Sequence, residues 1–175
     1  MASCEHEHQQ HGRHSVIETG FELGVLAVLN SGRSPRKRIL LDINVMLDVL
    51  LDRKPFAKAA SAVWAFVEQG AVTGLLSAHA ITTLHYLNAR EVGLADARET
   101  SDALLSVFDV APVDRAVIDS ALALGWNDFE DAVTAAAAKR AQCDVVVTRH
   151  PKDFRRSPVR VLTPAEVVAW LEAGR

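Results

Sequence analysis

The sequence predicts an α/β domain of three layers, in which helices cover both faces of a mostly parallel sheet. Three observations indicate this fold class. From Ile39 onward, short apolar runs rich in β-branched residues alternate with longer segments of helical periodicity. The short runs are apolar throughout, as is typical of strands buried on both faces. The segments between them are long enough for the helical crossovers that parallel strands require.

The composition is that of an ordinary globular chain. Of 175 residues, 49% are apolar and 23% are charged, which argues against disordered, fibrous and membrane proteins. The only cysteines, Cys4 and Cys143, do not suggest a disulfide framework, and no apolar stretch reaches about 18 residues. We therefore expect a cytoplasmic protein with one domain and no membrane segment.

Residues 1–38 differ from the rest and are expected to form an appendage to a domain at 39–175. Four of the seven histidines fall in the first fourteen residues, but they lack the paired spacing of a zinc module. This composition favours a disordered tail, or a start codon assigned too far upstream. Residues 16–30 predict one amphipathic helix, and the basic segment 31–38 predicts a linker.

The elements of the domain follow from the periodicity of its apolar residues. We expect strands at 39–41, 72–76, 108–110, 144–148 and 159–162. We expect helices at 45–51, 55–69, 79–90, 94–105, 115–124, 128–141 and 164–171. Pro55 favours the start of the second helix, and the capping box of Thr163 and Glu166 predicts the last one.

An acid and an amide follow the first predicted strand. Asp42 comes directly after the apolar run 39–41, and Asn44 lies two residues further on. In parallel sheets the carboxyl ends of the strands form the ligand-binding edge. Asp42 is therefore a candidate for chemistry, although capping of the next helix would explain it equally well.

A second acidic group opens the alanine-rich helix. Asp128 and Asp131 are three residues apart, so we expect them to share one helical face while Glu130 points elsewhere. The helix dipole favours a carboxylate in the first turn by about 0.3–1 kcal/mol, which explains one acid better than two. We therefore favour a functional role for this pair.

A third group follows the fourth predicted strand. The strand delivers Thr148 and Arg149 to the same edge, and Asp153 lies in the loop just beyond them. We expect Phe154 to anchor this loop. Pairing of Asp153 with a neighbouring arginine is the alternative explanation.

Four carboxylates at one edge of the sheet would repel each other. A divalent cation resolves the repulsion, and ligation by carboxylates favours Mg²⁺ or Mn²⁺ over zinc. The chemistry that such a site predicts is the attack of metal-activated water on a phosphodiester. Neither the Gly-x-Ser-x-Gly pattern of a nucleophile elbow nor a Walker phosphate loop is present in the sequence.

With these acids in place, the sequence resembles the PIN-domain family of metal-dependent ribonucleases, which includes VapC-like toxins of toxin–antitoxin pairs. The matching segments are 40–48, 128–132 and 147–154. The resemblance covers Ile39 to about Leu171. It implies a PIN-like fold, dependence on Mg²⁺ or Mn²⁺, cleavage of single-stranded RNA, a homodimer and a cognate antitoxin.

The resemblance also implies a role for each candidate residue. The metal-binding acids are Asp42, Asp131, Asp128 and Asp153. The residues that position water, ligand or phosphate are Asn44, Thr148 and Arg149.

The chain departs from the family's pattern at two positions. Many relatives carry a glutamate where Thr83 stands, and many carry Asp or Asn where His150 stands. These departures bear on metal affinity and on the number of ions. Asp48 is expected to be a solvated helix residue that could contact the edge of the site. His85 lies on the helix of Thr83 and could approach the site, but a structural role is favoured for it.

Three hypotheses follow for the function. The leading one is a PIN-type endoribonuclease that is the toxin of an operon pair; the second is a catalytically weakened PIN module that binds RNA or a protein partner. The third, a receiver-like domain, lacks the adjacent acids expected after the first strand. The net charge of −3 does not argue against RNA, because basic residues are concentrated at 149–160.

Overall fold

The computed structural model of the chain describes residues 36–174 and confirms the predicted fold class. The strands are β1 (Arg38–Leu41), β2 (Thr73–Ser77), β3 (Asp109–Ala111), β4 (Val145–Val147) and β5 (Arg160–Leu162). The helices are α1 (Ile43–Leu50), α2 (Ala57–Glu68), α3 (Ala78–Val92), α4 (Leu94–Val107), α5 (Arg115–Leu124), α6 (Phe129–Arg140) and α7 (Pro164–Glu172). The tail and the helix predicted at 16–30 lie outside the described residues.

The five strands form one parallel sheet in the order β3-β2-β1-β4-β5. The first strand, β1, therefore lies in the centre of the sheet. The strands β2 and β3 extend the sheet on one side of β1, and β4 and β5 extend it on the other side. Leu41 pairs with Val147, so the ends of β1 and β4 lie side by side. Residues that follow these two strands meet although more than a hundred positions separate them in sequence.

Helices cover both faces of the sheet because alternate strand residues point to opposite sides. Ile39 and Leu41 belong to a buried cluster with residues of α1, α2, α3, α4 and α7. Leu40 belongs to a second cluster with residues of α5 and α6. None of the helices between residues 36 and 174 is both long enough and apolar enough to cross a membrane.

The element boundaries differ from the predicted ones where turns intervene. Pro55 does not open α2: the helix begins at Ala57, and Pro55 follows a cis peptide bond in the turn before it. The helices α3 and α4 are longer than expected and are separated by Gly93 alone. Gly93 has a φ of +93°, a conformation that residues with a side chain rarely adopt, so it permits this abrupt change of direction.

The close packing of α2 on the sheet depends on Gly74 in β2. A Cβ at this position would lie 2.7 Å from both γ carbons of Val67 and 2.8 Å from Cδ1 of Phe108. The Phe108 ring is itself fixed by an edge-to-face contact with Trp64, with the ring centroids 5.0 Å apart. The helix and the aromatic pair thus occupy the space that a methyl group would need.

We expect Gly74→Ala to lower the free energy of unfolding by about 1–3 kcal/mol, because overpacking of a filled core displaces side chains or backbone. Urea denaturation measures the change. The double variant with Val67→Ala removes both γ carbons, so its loss of stability should be smaller than the sum of the two single losses. Strict additivity would contradict the contact described above.

Candidate active site

Asp42 is the central acid of the carboxyl edge of the sheet. It follows β1, is only 4% exposed, and its backbone N–H donates to the carbonyl oxygen of Val147 at 2.9 Å. The hydroxyl of Thr148 donates to Oδ2 of Asp42 at 2.9 Å, and the backbone N–H of His150 donates to that hydroxyl at 3.1 Å. This chain of hydrogen bonds fixes the orientation of the Asp42 carboxylate.

The surroundings of Asp42 make its ionised form costly. Burial raises the pKa of the carboxyl group, and hydrogen bonding by Thr148 and by the Asn44 side chain opposes the rise. The structure thus brings Asn44 and Thr148 to Asp42, as the sequence predicts. Within residues 36–174, no lysine or arginine forms an ion pair with Asp42.

Asp128 precedes α6 as its N-cap residue, and does not share a helical face with Asp131 in the way that the i, i+3 spacing predicts. Its Oδ1 accepts hydrogen bonds from the backbone N–H groups of Glu130 at 2.9 Å and Asp131 at 3.2 Å. Capping of α6 is thus one reason for an acid at position 128. The metal-binding role of Asp128 stays a prediction.

Asp131 shows that the predicted acids act on one another. Burial and the negative charges of Asp128, Asp42, Asp153 and Glu130, in that order, raise the pKa of Asp131 to about 7. Acids that are up to 111 positions apart in sequence therefore share one electrostatic environment. The four carboxylates that the sequence predicts therefore share one electrostatic environment, although they come from three segments of the chain: the end of β1, the start of α6 and the loop after β4.

Glu130 belongs to the same environment, and the prediction that it points elsewhere was wrong. Burial and the charges of Asp128 and Asp42 raise the pKa of Glu130. The physical reason is that helical side chains tilt toward the N-terminus of their helix. Since the N-terminus of α6 faces the carboxyl edge of the sheet, more than one side of its first turn is directed at this edge.

Sequence reasoning missed His79, which lies in the first turn of α3 just after β2. Its Nε2 is 3.7 Å from Oε1 of Glu130, and its Nδ1 is buried without a hydrogen-bond partner. Burial lowers the pKa of His79, and the negative charge of Asp42 opposes that shift. The signal that could have found it is the one used for Asp42, a polar residue directly after a buried strand.

The loop after β4 presents Asp153. Phe154 is 2% exposed and packs edge-to-face on Trp126 with 5.6 Å between the ring centroids, which confirms that it anchors the loop. Asp153 is exposed, and no arginine or lysine among the described residues pairs with it. The alternative explanation of Asp153, an ion pair with a neighbouring arginine, is therefore not observed.

Asp48 is fully buried, so the prediction of a solvated helix residue was wrong. Nη1 of Arg149 donates to its Oδ1 at 2.8 Å, while its Oδ2 is buried without a partner. Arg149 also donates from Nε to Nε2 of His150 at 2.9 Å, and its guanidinium lies 5.1 Å from the centre of the Phe56 ring. The Arg149 guanidinium thus makes its contacts to side chains of the protein itself. That it also contacts a phosphate of the substrate stays a prediction.

Two other polar residues of α3, Thr83 and His85, form hydrogen bonds to their own helix or to the neighbouring helix α4. The hydroxyl of Thr83, at the position of the family's glutamate, donates to the carbonyl oxygen of His79 at 3.0 Å in its own helix. Nδ1 of His85 lies 3.0 Å from Oγ of Ser101 on α4. The structural role expected for His85 is confirmed, because this hydrogen bond joins the two helices.

The chemistry of the donors fits a hard divalent cation, since carboxylates predominate. The buried, unpartnered Nδ1 of His79 and Oγ of Ser77 add polar atoms at the ends of α3 and β2. Within the part of the chain that the structure describes, however, no three Asp, Glu, His or Cys side chains are close enough together to form a ready ligand set. The acids share a region and an electrostatic field without converging on one point.

Comparison with protein families gives a match to the family described as PIN domain over residues 38–152. The match spans β1 to the loop after β4 and includes every element that carries a candidate acid except the last residues of that loop. The chain belongs to the PIN-domain family. Comparison with curated proteins finds no match.

Solved structures with the same fold come from several bacteria. A toxin–antitoxin complex from Klebsiella pneumoniae is 24% identical with a TM-score of 0.56, covering 72% of this chain and 97% of that one. FitAcB from Neisseria gonorrhoeae is 25% identical with a TM-score of 0.55, covering 72% and 97%. The sarcin-ricin loop cleaving toxin VapC20 from Mycobacterium tuberculosis is 17% identical with a TM-score of 0.51, covering 62% and 86%.

The raised pKa of Asp131 predicts how stability depends on pH when the protein is free of metal. Between its ordinary value of 3.8 and about 7, the folded state binds this proton more strongly than the unfolded state. The contribution of Asp131 to the free energy of unfolding is therefore fully present below pH 3.8 and is lost progressively as the pH rises from there through about 7.

We expect Asp131→Asn to raise the stability of the chelator-treated protein at about pH 8 and to flatten its dependence on pH. Urea denaturation at a series of pH values measures both effects. Asp102→Asn, which changes an exposed acid on α4, should leave the profile of the natural sequence unchanged. Parallel profiles for the Asp131 variant and the unmodified protein would contradict the assignment.

Proposed function

We propose that the protein is a metal-dependent endoribonuclease and the toxin of a type II toxin–antitoxin pair. The observation that carries the proposal is the electrostatic coupling of Asp42, Asp128, Asp131 and Asp153 at one edge of a PIN fold. Such a set of carboxylates is costly unless a cation offsets it. Membership of the PIN-domain family and the likeness to an RNA-cleaving toxin support the reaction class.

Asp42 and Asp131 are the residues that we propose to hold Mg²⁺ or Mn²⁺, with Asp128 and Asp153 at the margin of the site. When bound, such an ion supplies an activated water and offsets the charge that develops on a phosphodiester. Thr148 orients Asp42 through their hydrogen bond, and Asn44 supports the ionised form of the same carboxylate. The buried position of Asp42 limits the competition of bulk water for its oxygens.

Basic residues beside the site suit an RNA backbone. Lys152, Arg155 and Arg156 are exposed in the loop that carries Asp153. Contacts of this kind to phosphate supply affinity without sequence preference. Arg160, by contrast, lies over the Trp170 ring at 5.8 Å, and Arg149 is held by Asp48. The three loop residues are therefore the ones that we propose to contact the substrate.

We also propose that an antitoxin binds the groove between α1 and α3, which has a volume of about 520 Å³. Five leucines line it, and of these Leu50 and Leu51 are 37% and 52% exposed. Arg53, Arg90 and Glu91 line it as well, so its charge favours an apolar segment with acidic flanks. The toxin–antitoxin complex among the similar structures supports a partner of this kind. The homodimer and the cytoplasmic location expected from the sequence stay proposals.

A second candidate function is a PIN module that binds RNA or protein without cleaving RNA. Thr83 in place of the family's glutamate favours it, because the threonine hydroxyl is bonded within its own helix. The lack of three converging ligands among residues 36–174 favours it as well. Calorimetry separates the two functions, since the weakened module retains RNA affinity and shows no uptake of Mg²⁺ or Mn²⁺.

We expect the purified protein, free of its partner, to cleave RNA slowly in Mg²⁺ or Mn²⁺ and to stop when EDTA is added. Asp42→Ala and Asp131→Ala should each lower the cleavage rate by about a hundredfold or more, because each removes a carboxylate that offsets charge at the ion. A gel assay on labelled single-stranded RNA measures the rate.

Asp102→Ala is the matched control, since it removes an exposed acid of α4 away from the site. It should cleave at the rate of the unmodified protein. If Asp42→Ala and Asp131→Ala cleave as fast as this control, the activity comes from elsewhere and the proposed site is wrong.

The groove gives a separate prediction. When the chain is co-expressed with the short DNA-binding protein expected in the adjoining reading frame, Leu51→Arg should weaken their association by about tenfold or more. The physical reason is that a charge replaces an apolar contact in a desolvated groove. Pull-down and calorimetry measure the association, and RNA cleavage by the free variant should be unchanged.

Leu122→Arg serves as the control, because Leu122 is equally apolar and 62% exposed on α5, outside the groove. This variant should bind the partner normally. Equal loss in both variants would contradict the groove as the binding surface, and the lack of any such reading frame would contradict the toxin proposal.

A further inference from the structure

Asp48 is a buried acid of α1 whose surroundings satisfy only one of its two oxygens. The residue is 0% exposed, and Nη1 of Arg149 donates to its Oδ1 at 2.8 Å. Its Oδ2 is buried and has no hydrogen-bond partner among residues 36–174. A buried ion pair is weak evidence of stability, because the desolvation of both charges offsets their attraction. The pair therefore needs an explanation other than stability.

Arg149 connects Asp48 to His150. Its Nε donates to Nε2 of His150 at 2.9 Å, and its guanidinium lies 5.1 Å from the centre of the Phe56 ring. A guanidinium can only donate hydrogen bonds, so Nε2 of His150 is an acceptor that carries no proton. The imidazole of His150 is therefore neutral and protonated at Nδ1 while this hydrogen bond is present.

The backbone of His150 is bonded on both sides to residues of the candidate active site. Its N–H donates to the hydroxyl of Thr148 at 3.1 Å, and that hydroxyl donates to Oδ2 of Asp42 at 2.9 Å. Its carbonyl oxygen accepts a hydrogen bond from the backbone N–H of Asp153 at 3.0 Å. An unbroken series of hydrogen bonds thus connects the buried acid of α1 with two acids of the proposed metal site.

We propose that Asp48 is a positioning residue of the active site, which fixes His150 through the Arg149 guanidinium. Through the backbone bonds of His150, it sets the orientation of Asp42 and the place of Asp153. The proposal deepens the ribonuclease function proposed above and rests on it. A displacement of about 1 Å at a reacting group can cost about a hundredfold in rate, so the buried ion pair acts through the geometry that it imposes.

The first test observes His150 without relying on cleavage. Nitrogen-15 NMR at about pH 8, where histidines are ordinarily neutral, distinguishes protonated from unprotonated ring nitrogens. The signals of His150 are those that disappear in His150→Gln. We expect His150 to be protonated at Nδ1 in the unmodified protein and to become a mixture of both tautomers in Asp48→Ala. Asp102→Ala, which removes an exposed acid of α4, should leave these signals unchanged.

The second test measures cleavage of labelled single-stranded RNA in Mn²⁺. At saturating RNA, Asp48→Ala should lower the rate by about tenfold or more, because the acids of the site are no longer held in place. Val67→Ala is the control for stability, because it leaves a cavity beside Gly74 and Val67 takes no part in the series of hydrogen bonds. At a temperature where circular dichroism shows both variants to be folded, Val67→Ala should cleave at the rate of the unmodified protein.

If Asp48→Ala does not fold, Arg149→Lys provides the NMR test, because lysine keeps a positive charge beside Asp48 but has no guanidinium Nε–H to donate to His150. Unchanged His150 signals in the folded variant would overturn the positioning role and leave the ribonuclease intact. The same holds if Asp48→Ala cleaves RNA as fast as Val67→Ala. Lack of cleavage by the unmodified protein would overturn both proposals.

Discussion

The buried carboxylate of Asp42 is the constraint on which the rest of the carboxyl edge depends. A carboxylate that is 4% exposed needs hydrogen bonds in place of lost water, and Thr148 at the end of the neighbouring strand supplies one of them, in addition to those from Ile43 and Asn44. Thr148, at the end of β4, donates its hydroxyl proton, and the backbone of His150 fixes that hydroxyl in turn. Correct pairing of β1 with β4 is thus a condition for satisfying the acid.

The next residue after Thr148 meets a similar need. Arg149 pairs with Asp48, which is fully buried in α1 six residues after Asp42. Two consecutive residues that follow β4 therefore each bond one oxygen of a buried acid in the segment β1–α1, Thr148 that of Asp42 and Arg149 that of Asp48. An unpaired buried carboxylate is costly. The segment β1–α1 and the residues that follow β4 are therefore held together by an ion pair as well as by the hydrogen bonds between β1 and β4.

The sequence predicts much of this arrangement, because the dominant signals are local. Buried parallel strands read as short apolar runs, which is why the strands and the position of Asp42 follow from the sequence. The burial of Asp48 does not, since its partner Arg149 lies 101 residues away and a single acid in a helix resembles a solvated one. Glu130 and His79 were misjudged or missed because their roles depend on which helix ends face the same edge.

The alanine-rich helix α6 has a consequence for how this protein can evolve. Its residues Ala132 and Ala135–Ala138 are buried, and the helix packs against α5, β2, β3 and β4. Because most of the buried side chains of α6 are single methyl groups, this helix can approach its neighbours closely; Val133 and Thr134 are the larger buried residues. Larger residues would push the first turn, and Asp131 with it, away from Asp42. The buried alanines therefore help to set the position of the site's acids, although none of them is part of the site.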